Sequence, residues 1–201
     1  MSFVSRLTDL PSLRILRVSQ TRVTDAGWIQ ASREPTSDIH RPLFTLEASG
    51  LHNQLTYQGL EAIVNLFPQL RRLNVAASNL YVTKSPTTNV LNDLTHLDVS
   101  DCDQLEYLPS CLTPPRSGCN PSQGLATLRI RHCTRLNLAL VLDQLQGATD
   151  LSTVLIQLQQ FRELQMLDLG GQVLGEPEFE AVEQVINCLP NINSLIIATL
   201  P

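Results

Sequence analysis

The chain has 201 residues, of which 43% are hydrophobic and 16% are charged, and its formal net charge is −5 at pH 7. This length suits one domain with a sizeable core, which we place over residues 1–201. The acidic balance, with Lys84 as the only lysine, argues against a nucleic-acid partner. No apolar run approaches the roughly 18 residues of a membrane span, so no membrane partner is expected.

One short pattern occurs seven times along the chain. Its clearest copy, LTHLDVSDC, begins at Leu94 and has the spacing LxxLxVxxC. The copies begin at Leu13, Leu43, Leu70, Leu94, Leu125, Leu164 and Ile192. The fourth residue of every copy is leucine and the sixth is apolar. Apolar residues two apart predict a short strand with alternate side chains in a core, and the steps of 24 to 39 residues predict stacked repeats.

The ninth residue of each copy stands where the chain must turn away from the strand. These residues are Thr21, Leu51, Ser78, Cys102, Cys133, Gln172 and Leu200. We expect this position to be buried, where a small group that satisfies turning backbone is useful. Leucine and glutamine do not meet this requirement.

The first three connections between strands have different compositions. A short helix is predicted from residue 24 through Ile29, followed by an irregular loop near 30–42. Apolar residues at helical spacing predict a helix over 60–67 that Pro68 stops. The third connection predicts extended or turn structure in a loop near 82–92.

The later connections are longer. The proline-rich composition near 109–124 excludes a regular helix and predicts a mobile insertion. Two apolar helices are predicted after it, one from 136 to Gly147 and one over 151–161. The sixth connection predicts a helix that starts at 175–177 and is closed by Pro190. Its apolar face comprises Phe179, Val182, Val185, Ile186 and Leu189. Because neither end carries a polar capping repeat, we expect a piece or isoform of a longer protein, or pairing at the ends.

Residues that could carry chemistry are few. His96 with Cys102 and His132 with Cys133 suggest zinc, but zinc sites use close pairs such as CxxC, so we favour buried cysteines packing as small apolar groups. Asp101 is better explained as a solvent-facing turn acid than as a general acid or base. No common catalytic motif occurs. We therefore predict that the chain is not an enzyme and has no metal or cofactor.

The cysteines also bear on the compartment. Five is an odd number, and two of them stand at the predicted turns. Cys111 and Cys119 flank the proline-rich insertion and would bridge under oxidation, but free thiols in a reducing compartment are favoured. We expect the cytoplasm, with the nucleus as the alternative.

The repeated pattern resembles the leucine-rich repeat over roughly residues 10–201. The copies from Leu94 and Leu125, with the turn at 21–27, are similar to the cysteine-containing and ribonuclease-inhibitor-like subclasses. Such repeats are common in F-box/leucine-rich-repeat proteins, the substrate receptors of cullin-based ubiquitin ligases. The resemblance implies an α/β solenoid of about seven repeats, with a curved parallel sheet on its concave side and helices and loops on its convex side.

Outward-pointing residues of the copies would line the concave face, where we expect a protein partner. The candidates are Arg17, Glu47, Arg72, Asn74, His96, Asp98, Arg129, Arg131, Met166 and Asp168. Two interpretations stand. Opposite charges in the fifth residues satisfy one another across strands, or the arginines, above all Arg72, Arg129 and Arg131, offer their forked donors to a partner's carboxylates.

Two functions suit such a surface. The first is a non-catalytic protein–protein interaction module, as the substrate-recognition part of an F-box type ubiquitin ligase receptor. No F-box segment precedes the repeats, so ligase subunits would bind through sequence not present here. The alternative is a cytosolic scaffold or regulatory adaptor without a link to ubiquitin. An inhibitor that wraps a basic enzyme would need an acidic face, which Arg129 and Arg131 argue against.

Overall fold

The computed structural model of the chain describes residues 10–33, 42–81, 91, 93–106, 108–109, 112, 125–136, 164–172, 175–189 and 191–197. The strands are β1 (Ile15–Arg17), β2 (Thr45–Glu47), β3 (His52–Thr56), β4 (Arg72–Asn74), β5 (Ser78–Asn79), β6 (His96–Asp98), β7 (Thr127–Arg129), β8 (Met166–Asp168) and β9 (Ser194–Ile196). The helices are α1 (Asp25–Arg33), α2 (Tyr57–Leu66) and α3 (Glu176–Cys188).

Seven strands form one parallel sheet in the order β1-β2-β4-β6-β7-β8-β9, which is also their order in the chain. The central leucine of each strand pairs with the central leucine of the next, through Leu16, Leu46, Leu73, Leu97, Leu128, Leu167 and Leu195. These are the fourth residues of the seven copies. The predicted α/β class and parallel sheet are therefore confirmed, with one strand for each copy.

Backbone hydrogen bonds extend this ladder beyond the three-residue strands. The sixth residue of a copy donates its N–H to the fifth carbonyl of the next copy, as Val99 does to Arg129 at 3.0 Å. The eighth residue donates to the seventh carbonyl of the next copy, as Asp101 does to Arg131 at 2.8 Å. Neighbouring copies therefore stay in register into the turn that follows each strand.

The core lies on the sheet face that carries the fourth and sixth residues. From Leu16 to Leu167 the central leucines are buried, and only Leu195, in the edge strand β9, is 36% exposed. Helices α1 and α2 contribute to the same core. The rings of Trp28 and Phe67 meet edge to face, with 6.5 Å between centroids. Burial of these apolar faces stabilises the helices on the sheet.

Helix α1 is longer than predicted. It continues to Arg33, so the predicted loop near 30–42 is wrong over residues 30–33. Trp28 and Ala31 anchor one face of the helix in the core. Asp25 in the first turn and Arg33 in the last complement the helix dipole.

Helix α2 agrees with the prediction. It ends at Leu66, with Phe67 as the C-cap and Pro68 next in the chain. Its first turn is capped by Thr56, whose Oγ1 accepts the N–H of Gln58 at 3.3 Å. The small parallel sheet of β3 and β5 was not predicted, because these strands are short, irregular in register and without periodic burial.

Helix α3 forms where predicted, but its apolar face is only partly covered. Val182 and Leu189 are buried, whereas Phe179 is 45% exposed. The apolar face of α3 is buried only after the first turn of the helix, towards its C-terminal end, which precedes β9. The side chain of Val185 lies outside the described residues.

Several predictions fall on parts of the chain outside those described. These are most of the loops near 82–92 and 109–124, both helices predicted between 136 and 161, and the pairing state of Cys111 and Cys119. Among the described helices, none combines the length and apolarity that crossing a membrane requires.

Candidate functional site

The sheet face opposite the core carries the third, fifth and seventh residues of the copies, and we call it the open face. Strand pairing aligns a third row of Ile15, Thr45, Arg72, His96, Thr127, Met166 and Ser194. It aligns a fifth row of Arg17, Glu47, Asn74, Asp98, Arg129, Asp168 and Ile196. Nine of the ten predicted residues stand in these rows, and Arg131 follows Arg129 by two positions. The sheet thus brings all ten onto the open face.

The eighth residue of each described copy turns the chain at the edge of the open face. Its φ is positive in Gln20 (56°), Gly50 (69°), Ala77 (53°), Asp101 (57°), His132 (51°) and Gly171 (70°). Residues other than glycine seldom adopt this conformation, and here the interstrand hydrogen bonds of the eighth N–H help to hold it. Sequence reasoning missed the position because only two of these residues are glycine.

In three of the described copies the ninth residue links the copy to the one before it. The thiols of Cys102 and Cys133 donate to the sixth carbonyl of the preceding copy, at 3.6 and 3.2 Å. Burial, the largest cause, raises the pKa of both thiols to about 12, so they remain protonated donors at neutral pH. The buried amide of Gln172 donates to the equivalent carbonyl of Ile130. The expectation that glutamine is unsuited to this position is wrong.

The other described ninth residues vary. Leu51 is buried as an apolar side chain, and the buried Ser78 Oγ has no hydrogen-bond partner. Thr21 is exposed, so the expected burial is wrong in the first copy. Its Oγ1 donates to Val18 of its own copy at 2.7 Å, because β1 is an edge strand with no described neighbour on that side.

Three polar side chains of the fifth row are occupied by the protein's own backbone. An oxygen of Asn74, Asp98 and Asp168 accepts the N–H two residues further on, at 3.0, 3.1 and 3.0 Å. Such bonds stabilise the bend after each strand. These three residues therefore shape the open face more than they offer it to a partner.

Three ion pairs lie on the open face. Arg17 Nε is 2.8 Å from Glu47 Oε2; the Arg17 side chain is largely exposed and that of Glu47 is partly exposed. An Arg129 nitrogen is 3.9 Å from Asp98 Oδ2, at the long limit of an ion pair. Exposed ion pairs of this kind contribute a fraction of a kcal/mol to the stability of the fold. They agree with the interpretation that opposite charges in the fifth residues satisfy one another across strands.

The third ion pair differs from the expected pattern. The partner of Asp168 is Arg131, with Nε 3.7 Å from Oδ1, and not Arg129. Asp168 Oδ1 is turned along its own strand to accept the Gly170 N–H, which brings it towards the seventh residues. The carboxylate is only 6% exposed and lies beneath the half-exposed Arg131.

The guanidinium groups keep unused donors. The side chain of Arg72 is exposed and makes no ion pair or hydrogen bond within the described ranges. Arg129 makes only its long approach to Asp98 and a 4.0 Å contact to the sulfur of Met166. Arg131 uses Nε alone. Most of the forked donors on this face are thus available.

His96 stands between Arg72 and Arg129. The Thr95 hydroxyl donates to the Arg71 carbonyl at 2.9 Å, so its oxygen accepts the Nδ1–H of His96, also at 2.9 Å. Burial first, and then the charges of Arg72 and Arg129, lower the pKa of His96. The lowered pKa favours the uncharged imidazole at pH 7.

A groove of about 570 Å³ lies at the ends of the strands, beside the open face. It is lined by His52, Asn53, Ala77, Ser78, Asn79, Tyr81, Asp101, Asp103 and Gln104. Sequence reasoning missed this groove because β3 and β5, which form one wall, carry no periodic pattern.

The arrangement has the character of a binding surface. In the ranges that the structure describes, no three histidine, cysteine or acidic side chains converge as metal ligands would. Cys102 and Cys133 are buried free thiols. No protein-family model matches the chain, and no curated protein matches it at a significant level. Its function is therefore inferred from the open face itself.

Proposed function

We propose that the chain is a leucine-rich-repeat solenoid whose open face is the concave face. Three regular features support this proposal: the paired central leucines, the left-handed eighth residues, and the buried ninth side chains that bond to the preceding copy. Each copy contacts its neighbours through the same bonds, which is the organisation of stacked repeats. The helices α1, α2 and α3 would lie on the convex side.

We propose that the chain is a non-catalytic protein–protein interaction module that binds through the open face. This proposal rests on the unpaired N–H donors of Arg72, Arg129 and Arg131. The carboxylates beside them, those of Asp98 and Asp168, already accept backbone N–H groups. Arginine with a planar fork of donors is enriched among residues that dominate binding energy.

The resemblance to F-box/leucine-rich-repeat proteins supports a narrower role, in which the open face recognises a substrate of a cullin-based ubiquitin ligase. Recruitment of the ligase would then depend on other sequence. A cytosolic scaffold or adaptor would use the same surface, and the two roles differ in the proteins that accompany the chain in its cell.

Affinity purification of the tagged full-length protein from its own cells, followed by mass spectrometry, tests this function. The wild type is compared with Arg72→Glu combined with Arg129→Glu, and with Thr127→Trp, which fills the third row between His96 and Met166. Arg131 is left intact because a glutamate there would face the buried Asp168. Arg22→Glu with Arg33→Glu gives the same charge change away from the strands of the sheet.

The expected result is a set of partners lost from both open-face variants and kept by the control. Ligase subunits among all the purified proteins would support the receptor role, and their absence would favour a scaffold. Partners that survive Thr127→Trp would contradict binding through this face.

A further inference from the structure

The three arginines with free donors form a bent row on the open face, which we call the basic diagonal: Arg72, Arg129 and Arg131. Arg72 is in the third row on β4, and Arg129 is in the fifth row on β7, two strands away. With strands about 4.8 Å apart and about 3.3 Å per residue, these two α-carbons are about 12 Å apart. The same dimensions put Arg131 about 7 Å beyond Arg129.

Among the described residues, the positive charge of the basic diagonal is only partly balanced. The nearby acidic residues are Asp98 and Asp168, and one carboxylate oxygen of each accepts a hydrogen bond from a backbone N–H two residues further on. Their contacts with the arginines are long, at 3.9 and 3.7 Å, and Arg72 has no acidic partner among the described residues. A local excess of positive charge therefore exists on a chain whose net charge is −5.

The shape beside the basic diagonal suits an extended backbone. The seventh residues around Arg131 are small, with Ala76, Ser100 and Gly170 on the neighbouring copies. Small side chains leave room for a peptide to lie against Arg131. Burial and the two arginines lower the pKa of His96, which lies between Arg72 and Arg129, and this favours its uncharged form.

We propose that the basic diagonal binds an extended acidic segment of a partner protein, with carboxylates on one side of the segment. This inference rests on the proposed interaction function and specifies the chemistry of the partner. In an extended chain, residues two apart point the same way and are about 7 Å apart. Carboxylates at i and i+2 match Arg131 and Arg129. A third at i+6 is about 13 Å from the second, and the long side chain of Arg72 can reach it. Bidentate arginine–carboxylate bonds supply the recognition.

The test uses three fluorophore-labelled nine-residue peptides on a serine and threonine background and the full chain, with binding read by fluorescence anisotropy. The first peptide has glutamate at positions 2, 4 and 8, the second has lysine there, and the third has glutamate at 2, 3 and 4. We expect the first to bind at least tenfold more tightly than either other peptide. Raising the salt concentration should weaken its binding, because the contacts are exposed.

The matched variants are Arg72→Met with Arg129→Met, and Arg22→Met with Arg33→Met as the control. Arg72 and Arg129 are both exposed, so these substitutions should leave the fold intact, which circular dichroism verifies. The diagonal variant should lose at least tenfold in affinity for the first peptide, and the control should keep it. Equal binding of the first and second peptides, no binding of the first, or an unchanged diagonal variant would overturn the proposal.

The failure of this inference is distinguishable from failure of the proposed function. If cellular partners are lost from Thr127→Trp but kept by Arg72→Met with Arg129→Met, the open face binds a partner that does not use the basic diagonal. If the partners are kept by both variants, the open face is not the binding surface.

Discussion

The carboxylate of Asp25, in the first turn of α1, accepts both the backbone N–H and the hydroxyl of Thr56, the N-cap of α2. One side chain thus joins the starts of two helices that pack on each other. The Asp25 carboxylate also lies where a Cβ on Gly59 would stand, which explains why α2 carries a glycine in its first turn.

Removing this carboxylate should destabilise the fold. Asp25→Ala leaves the partly buried N–H of Thr56 without its acceptor, and we expect a loss of about 2 kcal/mol in the free energy of unfolding. Urea denaturation followed by the fluorescence of Trp28, the only tryptophan and fully buried, measures this change. Asp103→Ala, at an exposed acid, should change stability by less than about 0.5 kcal/mol. Equal losses for both variants would contradict the helix linkage.

The buried thiols of Cys102 and Cys133 should make stability fall at alkaline pH. Burial raises the pKa of each to about 12, whereas the unfolded thiol titrates near 9. Between these values the unfolded chain binds fewer protons, so stability decreases as pH rises, by up to about 1.4 kcal/mol per pH unit for each thiol.

Urea denaturation at several values between pH 8 and 10.5 measures this slope. The comparison is Cys102→Ser with Cys133→Ser, which retains every other alkaline group and should show a shallower decline. Parallel curves for the two proteins would show that the thiols do not carry the effect.

Gly171 and Gly50 form a matched pair for backbone strain. Both have φ near +70°, but a Cβ at Gly171 would collide with the His132 ring, whereas at Gly50 it would meet the flexible Gln20 side chain at 3.1 Å. Gly50→Ala should cost about 1 kcal/mol, and Gly171→Ala about 3 kcal/mol. Thermal unfolding measures both. Adding His132→Ala to Gly171→Ala should recover part of the loss, and no recovery would locate the cost in the backbone alone.

The buried Asp168 should matter more to stability than the exposed Glu47. Asp168→Ala removes both the acceptor for Gly170 and the partner of Arg131, and we expect a loss of about 2 to 3 kcal/mol. Asp168→Asn keeps an acceptor and should lose about half as much. Glu47→Ala breaks an exposed pair worth under about 1 kcal/mol. Chemical denaturation of the three variants should reproduce this order, and a similar cost for Glu47→Ala would contradict it.

The pKa of His96 should depend on Arg72. Burial is the largest cause of its lowered pKa, and the charges of Arg72 and Arg129 add to it. Arg72→Met should therefore raise the pKa only partway towards 6.5, because burial and Arg129 remain. Titration of the imidazole by NMR measures the shift, and Arg22→Met is the control. An unchanged value would place Arg72 too far away to form one basic diagonal with Arg129.

The parallel sheet was predictable because its determinant is local and repeated. A leucine at the fourth position and an apolar sixth residue specify a buried strand in every copy, and the observed register follows from aligning Leu97 with Leu128. The helix of the second connection was predictable for the same reason, since its apolar residues have one period and Pro68 closes it.

The remaining features depend on contacts that no local pattern records. Asp101 and His132 adopt positive φ through bonds to the next copy, without glycine to indicate it. Gln172 suits its position because the amide reaches a carbonyl 42 residues earlier. Asp168 pairs with Arg131 because the bend at Gly170 turns its carboxylate, which strand alternation does not predict.

Because the strands follow one another in chain order, the connections between them can differ in length while the register of the strands stays the same. From Arg72 to His96 the chain takes 24 residues, and from Thr127 to Met166 it takes 39, yet both steps end in the same register. The length of a connection therefore leaves the spacing between rows unchanged. Connections can lengthen, shorten or acquire new segments while the distance from Arg72 to Arg129 stays fixed. A recognition surface built in this way can keep its specificity while the opposite side of the molecule diverges.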